Sequence, residues 1–277
     1  MMNLLNQDVL LSNGIKMPKL GFGTWELPPG TPTQDAVKTA LRAGYKHLDT
    51  ALVYQNEKDV GEAIKIHGID PNEIFITAKL PPHIKRRNGV FRMHAKTLTN
   101  LNVTSVDLYL INAPRPFGVY TGDYDDANAV AWEALETLYQ EGKAKAIGVS
   151  NFTIDDLENL RNRGLSTPHV NQIAYFVGHT QDALVAYCQK YNIQLMAYSP
   201  LARGYLLNNS ILIDIAKSLN VTPAQVALRY IVQKGIVPIP KAATPKYIDT
   251  NTQLDFTLDA STMARLDTIE NDPREWD

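Results

Sequence analysis

Eight short apolar runs alternate along the chain with longer segments of helical pattern, and this repeat restricts the fold more than any other feature. The apolar runs have strand length, and the segments between them carry apolar residues at helical spacing. The runs cover residues 19–24, 47–51, 74–80, 106–112, 144–150, 170–175, 194–199 and 236–241. The helical segments cover residues 33–43, 56–67, 90–101, 127–141, 154–163, 182–191, 211–219 and 223–234, and a further one covers residues 261–270.

Strands that alternate with helices at a spacing of about 30 residues predict a closed parallel α/β barrel, the (β/α)8 TIM fold. Residues 9–17 read as an N-terminal β-hairpin around an Asn13-Gly14 turn, and segment 261–270 as an extra C-terminal helix. We expect one domain over residues 1–277. The alternative is an open doubly wound sheet, which favours a glycine-rich phosphate loop after an early strand; the chain contains neither common form of that loop.

Composition excludes several classes of partner and location. The formal net charge of -2 argues against a nucleic acid or an anionic membrane as the partner. No stretch approaches the ~20 apolar residues of a membrane span, and residues 1–14 lack a secretory signal pattern. The one cysteine, Cys188, lies in a helical pattern and fits a core position in a reducing compartment. We expect a cytoplasmic monomer, and the short tail after the last helix, residues 272–277, predicts a short cover over any pocket.

Polar residues end nearly every predicted strand. Active sites of barrels form at the C-terminal ends of the strands, so this ring of side chains predicts a functional rim. Its members are Asp49, Lys79, Asn112, Ser150, Asn151, Gln172, Tyr198, Ser199 and Lys241.

Asp49 and Lys79 end adjacent strands, so their side chains are expected to meet at the barrel mouth. A buried acid and a buried lysine are costly unless they pair, and a purely structural salt bridge is the simpler interpretation. Tyr54, in the loop beyond Asp49, supplies a third group: a neighbouring ammonium lowers the pKa of a phenol and makes it a usable proton donor to a carbonyl oxygen. The six histidines are scattered without metal-ligand spacing, so we expect no metal.

Several stretches carry a family resemblance. They are residues 17–25 (MPKLGFGTW), residues 44–51 (GYKHLDTA) with Tyr54 and Glu57, residues 132–143 and 146–152, Asn171-Gln172, residues 197–201 (AYSPL) and residues 239–241 (IPK). With these motifs the chain resembles the aldo-keto reductase family, in particular its bacterial, diketogluconate-reductase-like members.

The resemblance implies that NADPH binds in extended form across the barrel mouth, without a Rossmann domain, and delivers hydride to an aldehyde or ketone while a tyrosine protonates the oxygen. The implied catalytic residues are Asp49, Tyr54, Lys79 and Asn112. The implied cofactor-binding residues are Thr24, Ser150, Asn151, Gln172, Tyr198, Ser199, Leu201, Lys241, Thr244, Tyr247 and Asn251. The implied substrate contacts are Trp25, Asn112 and Phe117, and the partner is a small carbonyl compound.

Two departures from the family pattern carry consequences. Asn112 stands where the family usually has a histidine; its amide donates a hydrogen bond but carries no proton, which predicts retained chemistry with an altered rate. A cofactor-binding redox sensor with weak reductase activity is the alternative. Tyr247 stands where the family has a phosphate-gripping arginine, and a tyrosine makes no bidentate contact. NADPH is favoured on the strength of Lys241, Thr244 and Lys246, with NADH as the alternative.

Two further interpretations stay open. Lys79 in a barrel of another enzyme class would form a Schiff base with a carbonyl substrate. The basic loop 83–87 is typical of a solvated surface, but beside the mouth it would attract an anionic substrate or the phosphates of the cofactor.

Overall fold

The computed structural model describes residues 3–270, and the predicted short cover at 272–277 lies outside them. Its strands are β1 (Asp8–Leu10), β2 (Lys16–Pro18), β3 (Phe22–Gly23), β4 (His47–Asp49), β5 (Phe75–Leu80), β6 (Val106–Ile111), β7 (Ala144–Ser150), β8 (Val170–Ala174), β9 (Gln194–Tyr198) and β10 (Val237–Pro238). Its α-helices are α1 (Thr31–Arg42), α2 (Glu57–His67), α3 (Arg87–Leu101), α4 (Asp125–Gln140), α5 (Ile154–Asn162), α6 (Asp182–Lys190), α7 (Ser210–Leu219), α8 (Pro223–Gln233), α9 (Pro245–Thr250) and α10 (Ala260–Asp267).

Strands β3 to β10 form one parallel sheet in sequence order, which confirms the predicted barrel. The first and last strands meet through backbone hydrogen bonds from Gly21 N to Pro238 O and from Gly23 N to Pro240 O, both 3.0 Å, so the ring closes. A side chain at either glycine would collide with Ile239, since an added Cβ would lie 2.7 Å from its Cγ2 at Gly21 and 2.9 Å from its carbonyl oxygen at Gly23. Close approach of the two backbones therefore requires glycine at residue 23, whereas a side chain at residue 21 would meet the Ile239 side chain.

The predicted hairpin is present and plugs one end of the barrel. Strands β1 and β2 pair antiparallel with Val9 opposite Met17, and Gly14 in the turn has a φ of +84°. Leu11 and Met17 are buried in the interior cluster of the barrel with Phe75, whereas a larger apolar cluster fills the layer between sheet and helices. The hairpin leaves the opposite end of the barrel, where the strands terminate, open for a site.

Several predicted bounds require correction. The first and eighth strands are only two residues long, because their remaining residues join the ring through isolated bonds and Pro238 and Pro240 offer no N–H. The helix after the eighth strand, α9, was not predicted, since it has six residues and only Ile248 is buried. Helix α10 ends at Asp267, earlier than the predicted residue 270. Among residues 3–270, no helix is long and apolar enough to cross a membrane.

Cys188 is fully buried, as its helical pattern predicted. It packs with the apolar cluster between sheet and helices, and burial raises the pKa of its thiol to about 12. Cys188 therefore serves as a core side chain.

A substitution at Gly148 tests how tightly the barrel interior is packed. A Cβ added there would lie 2.5 Å from Val170 O and 2.8 Å from Leu110 Cδ2. We expect Gly148→Ala to lower the free energy of unfolding by about 2 kcal/mol, because an overpacked core must distort, as measured by urea unfolding.

Gly142→Ala is the control. Gly142 has a φ of +69° and nothing within 4 Å of the added Cβ, so it meets only a backbone penalty, about 1 kcal/mol. A Gly148→Ala protein as stable as the unaltered one would contradict this packing.

Candidate active site

A buried charge pair lies where β4 and β5 end. The Lys79 ammonium is 2.5 Å from Asp49 Oδ1, and the side chains are 1% and 2% exposed. Because β4 and β5 are adjacent parallel strands, both side chains reach the same end of the barrel interior. The predicted pairing is therefore present.

The same ammonium also contacts Tyr54. Lys79 Nζ donates to the phenol oxygen of Tyr54 at 2.8 Å. Tyr54 lies in a short 3₁₀ turn, Leu52–Tyr54, directly after β4. Since the lysine donates, the Tyr54 hydroxyl keeps its own hydrogen for another acceptor.

The pKa values in this cluster reflect a competition between burial and charge. Burial raises the pKa of Tyr54 above its ordinary value, and the neighbouring Lys79 only partly offsets this effect. The prediction that the ammonium lowers the phenol pKa is thus right for that one interaction but wrong for the net direction. Burial alone would lower the pKa of Lys79, but Asp49 and Tyr54 hold it above its usual range, so Lys79 remains an ammonium.

The second oxygen of Asp49 contacts Gln172 from β8. Gln172 Nε2 donates to Asp49 Oδ2 at 2.7 Å, and both residues are buried. The two carboxylate oxygens of Asp49 therefore have different partners, the lysine on one side and the glutamine amide on the other.

The residues predicted to hold a nicotinamide carboxamide form one hydrogen-bonded set. Ser150 Oγ donates to the Gln172 carbonyl at 2.8 Å, and Asn151 Nδ2 donates to Ser150 Oγ at 3.2 Å and to the Asn112 carbonyl at 3.0 Å. Tyr198 donates its hydroxyl to Asn151 Oδ1 at 2.7 Å. Asn151 has a φ of +61°, a left-handed conformation that is uncommon outside glycine and often marks a functional site.

Asn112 follows β6 and is 4% exposed. Its Nδ2 has no hydrogen-bond partner among residues 3–270. A buried amide donor without a partner is costly, so an acceptor on a bound molecule would relieve that cost.

Other predicted site residues lie in the loops around the barrel mouth and differ in how far they are buried. Thr24 Oγ1 donates to the Asp49 carbonyl at 3.0 Å and is fully buried, so it anchors the end of β4. Trp25 is 38% exposed, and the guanidinium carbon of Arg203 lies 4.8 Å from the centroid of the Trp25 ring. Ser199 and Leu201 are partly exposed in the loop after β9.

Phe117 is 61% exposed in the loop after β6. Val119 and Tyr120 in the same loop are also exposed, so the loop presents several apolar side chains to solvent. The substrate contact predicted for Phe117 stays a prediction.

Asn56 is a site residue that sequence reasoning missed. Its Nδ2 donates to the carbonyls of Thr24 at 2.9 Å and Leu27 at 3.1 Å, and its Oδ1 accepts from Thr50 Oγ1 at 3.3 Å. Asn56 thus ties the loop after β3 to the loop after β4. Its position two residues after Tyr54 was the only signal in the sequence.

The residues predicted for the adenosine end lie on the segment after β10, from Lys241 through α9 to Asn251. Lys241, Thr244 and Tyr247 are exposed, and the Thr244 side chain makes no capping bond to α9. Asn251, directly after α9, is buried. Lys246 is also exposed, which leaves two ammonium groups on this segment.

The basic loop 83–87 is not uniformly solvated. Lys85 Nζ donates to the Ala113 carbonyl at 3.1 Å and to Asn128 Oδ1 at 2.6 Å, and burial lowers its pKa to about 8. Lys85 therefore braces the loop that follows Asn112. His83 and Arg86 are exposed, in keeping with the solvated interpretation.

The chain belongs to the aldo/keto reductase family, whose model matches residues 19–271. It is 38% identical over 271 residues to glyoxal reductase of Bacillus subtilis, covering 98% of this chain and 95% of the relative. It is 36% identical to 9,11-endoperoxide prostaglandin H2 reductase of Trypanosoma cruzi, covering 99% and 95%.

Solved structures of aldo-keto reductases are also similar to this chain. MGS-M4, an aldo-keto reductase enzyme from a Medee basin deep-sea metagenome library, has a TM-score of 0.89 at 39% identity, covering 95% of this chain and 94% of that one. An aldo/keto reductase from Brucella melitensis has a TM-score of 0.87 at 36% identity, covering 94% and 98%. The protein is thus an NAD(P)H-dependent oxidoreductase that acts on carbonyl groups.

Below the charge pair, His47 makes stability depend on pH. Its Nε2 lies 2.9 Å from Thr77 Oγ1, and burial lowers the pKa of the ring to about 3. Between an unfolded value of about 6.5 and that folded value, only the unfolded chain takes up the proton. His47 therefore adds stability above this window, and the contribution is lost as pH falls through it, by about 1.4 kcal/mol per pH unit.

We expect His47→Gln to reduce the slope of unfolding free energy against pH between about 6 and 4. His83→Gln, at an exposed histidine, should leave that slope unchanged. Urea unfolding at several pH values measures both. An identical slope in His47→Gln and the unaltered protein would rule out this role.

Proposed function

We propose that this protein is an NADPH-dependent reductase of small aldehydes and ketones in which Tyr54 donates the proton. The contact of one buried ammonium, Lys79, with both Asp49 and Tyr54 carries the proposal. Lys79 stabilises negative charge on the phenol oxygen as the proton leaves, and Asp49 keeps Lys79 charged. Because Lys79 donates to the Tyr54 oxygen, the Tyr54 hydroxyl hydrogen can be donated to the carbonyl oxygen of a substrate.

The donor set at the rim fits a nicotinamide cofactor. Gln172 Oε1 accepts no hydrogen bond from any described residue, so a carboxamide N–H group has an acceptor there. Ser150 and Asn151 lie beside it, and the Tyr198 ring offers an aromatic face for the nicotinamide. NADPH, when bound, would supply the hydride.

The adenosine end favours the phosphorylated cofactor. Lys241 and Lys246 place two exposed ammonium groups near the Thr244 hydroxyl, and Asn251 suits an adenine contact. Tyr247 lacks the bidentate grip of an arginine, so NADH use is the alternative at this end.

Asn112 completes the carbonyl site. Its unpartnered Nδ2 is a donor for the substrate oxygen beside the Tyr54 hydroxyl. Trp25 and Phe117 line the approach. The glyoxal reductase relative makes small dicarbonyl compounds the first substrates to examine.

Tyr54→Phe tests the proton donor. We expect turnover of glyoxals and simple aldehydes to fall by about 10²–10⁴, because no other group supplies the proton, whereas NADPH affinity stays near that of the unaltered protein. NADPH oxidation and fluorescence titration measure the two quantities. Tyr120→Phe, at a tyrosine 91% exposed, is the matched control and should turn over normally. Normal turnover in Tyr54→Phe would refute the assignment, and absence of turnover in the unaltered protein would favour the redox-sensor alternative.

Asn112 variants test the carbonyl donor. Asn112→Ala removes the amide and should lower kcat by roughly tenfold or more. Asn112→His restores a group that can carry a proton, and we expect kcat for small aldehydes to rise by about tenfold at acidic pH. Initial rates from pH 5 to 9 provide the comparison. A loss of activity in Asn112→His would show instead that the pocket is adapted to the amide.

A further inference from the structure

We infer that Gln172 is a positioning residue of the proton donor as well as a cofactor contact, so that the carboxamide and Tyr54 are coupled through one chain of hydrogen bonds. The inference rests on the proposed function and concerns a contact with Asp49 that carboxamide binding alone does not require.

The chain of contacts crosses the barrel. Gln172 Nε2 donates to Asp49 Oδ2, Asp49 Oδ1 accepts from Lys79, and Lys79 donates to Tyr54, at 2.7, 2.5 and 2.8 Å. In the closed ring, β8 lies four strands from β4 in either direction, so Gln172 and Asp49 come from opposite walls. The glutamine side chain is the member that spans the gap.

The orientation of the Gln172 amide follows from its partner. An ionised carboxylate only accepts hydrogen bonds, so the amide must turn its N–H toward Asp49 and its oxygen away. That oxygen has no donor among residues 3–270. The Gln172 amide therefore links Asp49 to the position where the nicotinamide carboxamide would bind.

The link has an electrostatic consequence. A carboxamide N–H donating to Gln172 Oε1 polarises the amide and strengthens its donation to Asp49, because successive hydrogen bonds reinforce one another in a low-dielectric interior. Asp49 then binds Lys79 less tightly, and Lys79 gives more stabilisation to the phenol oxygen of Tyr54. Cofactor binding thereby makes Tyr54 a better acid.

The side chains that form this series of hydrogen bonds are buried. Gln172, Asp49 and Lys79 are each no more than 2% exposed, so water does not replace a lost partner. The main chain of Gln172 is fixed from the other side, since its carbonyl accepts Ser150 Oγ at 2.8 Å and Asn151 N at 3.0 Å. Side-chain changes at residue 172 therefore act on Asp49 rather than on the strand.

Gln172→Glu separates the two roles, because the carboxylate keeps an acceptor for the carboxamide but loses the donor to Asp49. Two buried carboxylates at this distance share a proton at neutral pH and lose it only as the pH rises, so the added charge disfavours the phenolate at the alkaline end. We expect the falling alkaline limb of kcat to move up by about one pH unit, with NADPH affinity changed by less than about threefold. Ser150→Ala, which lies on the cofactor side without touching Asp49, should show weaker NADPH binding and an unmoved limb.

Steady-state rates from pH 6 to about 11.5 and fluorescence titration of NADPH give these values. A Gln172→Glu limb and kcat equal to those of the unaltered protein would overturn the inference, while loss of turnover in Tyr54→Phe would still stand for the proposed function. If Tyr54→Phe turns over normally, the proposed function itself fails.

A second measurement needs no variant at residue 172. The ionisation of Tyr54 is followed by ultraviolet absorbance, with Tyr54→Phe as the blank, in complexes with NADP⁺ and with its 3-acetylpyridine analogue, whose acetyl group has no N–H to donate. The inference predicts a lower Tyr54 pKa with NADP⁺ than with the analogue. Equal values would overturn it, including in the case where Gln172→Glu fails to fold.

Discussion

The buried ammonium of Lys79 is the constraint on which the rest of the site depends. A lysine that is 1% exposed is stable as a cation only beside a carboxylate, and Asp49 supplies it at 2.5 Å. The adjacent parallel strands β4 and β5 bring the two residues together, inside a ring that closes through the backbone bonds of Gly21 and Gly23. Tyr54 is then the group that the pair acts on.

The rim is one connected network rather than two separate sets. From Lys79 the bonds run through Asp49 and Gln172 to Ser150, Asn151 and Tyr198, so Asp49 is connected to the residues that we propose hold the nicotinamide. Asn112 is tied to it through its carbonyl, while its amide Nδ2 stays unpartnered. In the proposed function, the hydrogens of Tyr54 and Asn112 that this network does not use are the donors to the substrate oxygen.

The sequence predicted the barrel and its rim because strand and helix periodicities and polar strand ends are local signals. It overestimated the length of β3 and β10, whose pairing depends on ring closure rather than on their own residues, and it missed the short helix α9. It did not reveal the bond between Gln172 and Asp49, which joins opposite walls, nor the bracing contacts of Asn56 and Lys85. The net pKa direction at Tyr54 depends on burial, which composition and spacing do not report.

The most direct measurement of this account is the ionisation of Tyr54 with and without the Lys79 ammonium, followed by NMR of the labelled tyrosine Cζ carbons in the unaltered protein and in Lys79→Met. Burial raises the pKa of Tyr54, and Lys79 opposes that rise. Removal of the ammonium is therefore predicted to move the Tyr54 titration to still higher pH. The same titration curve in both proteins would contradict the claim that Lys79 prepares Tyr54 to donate a proton.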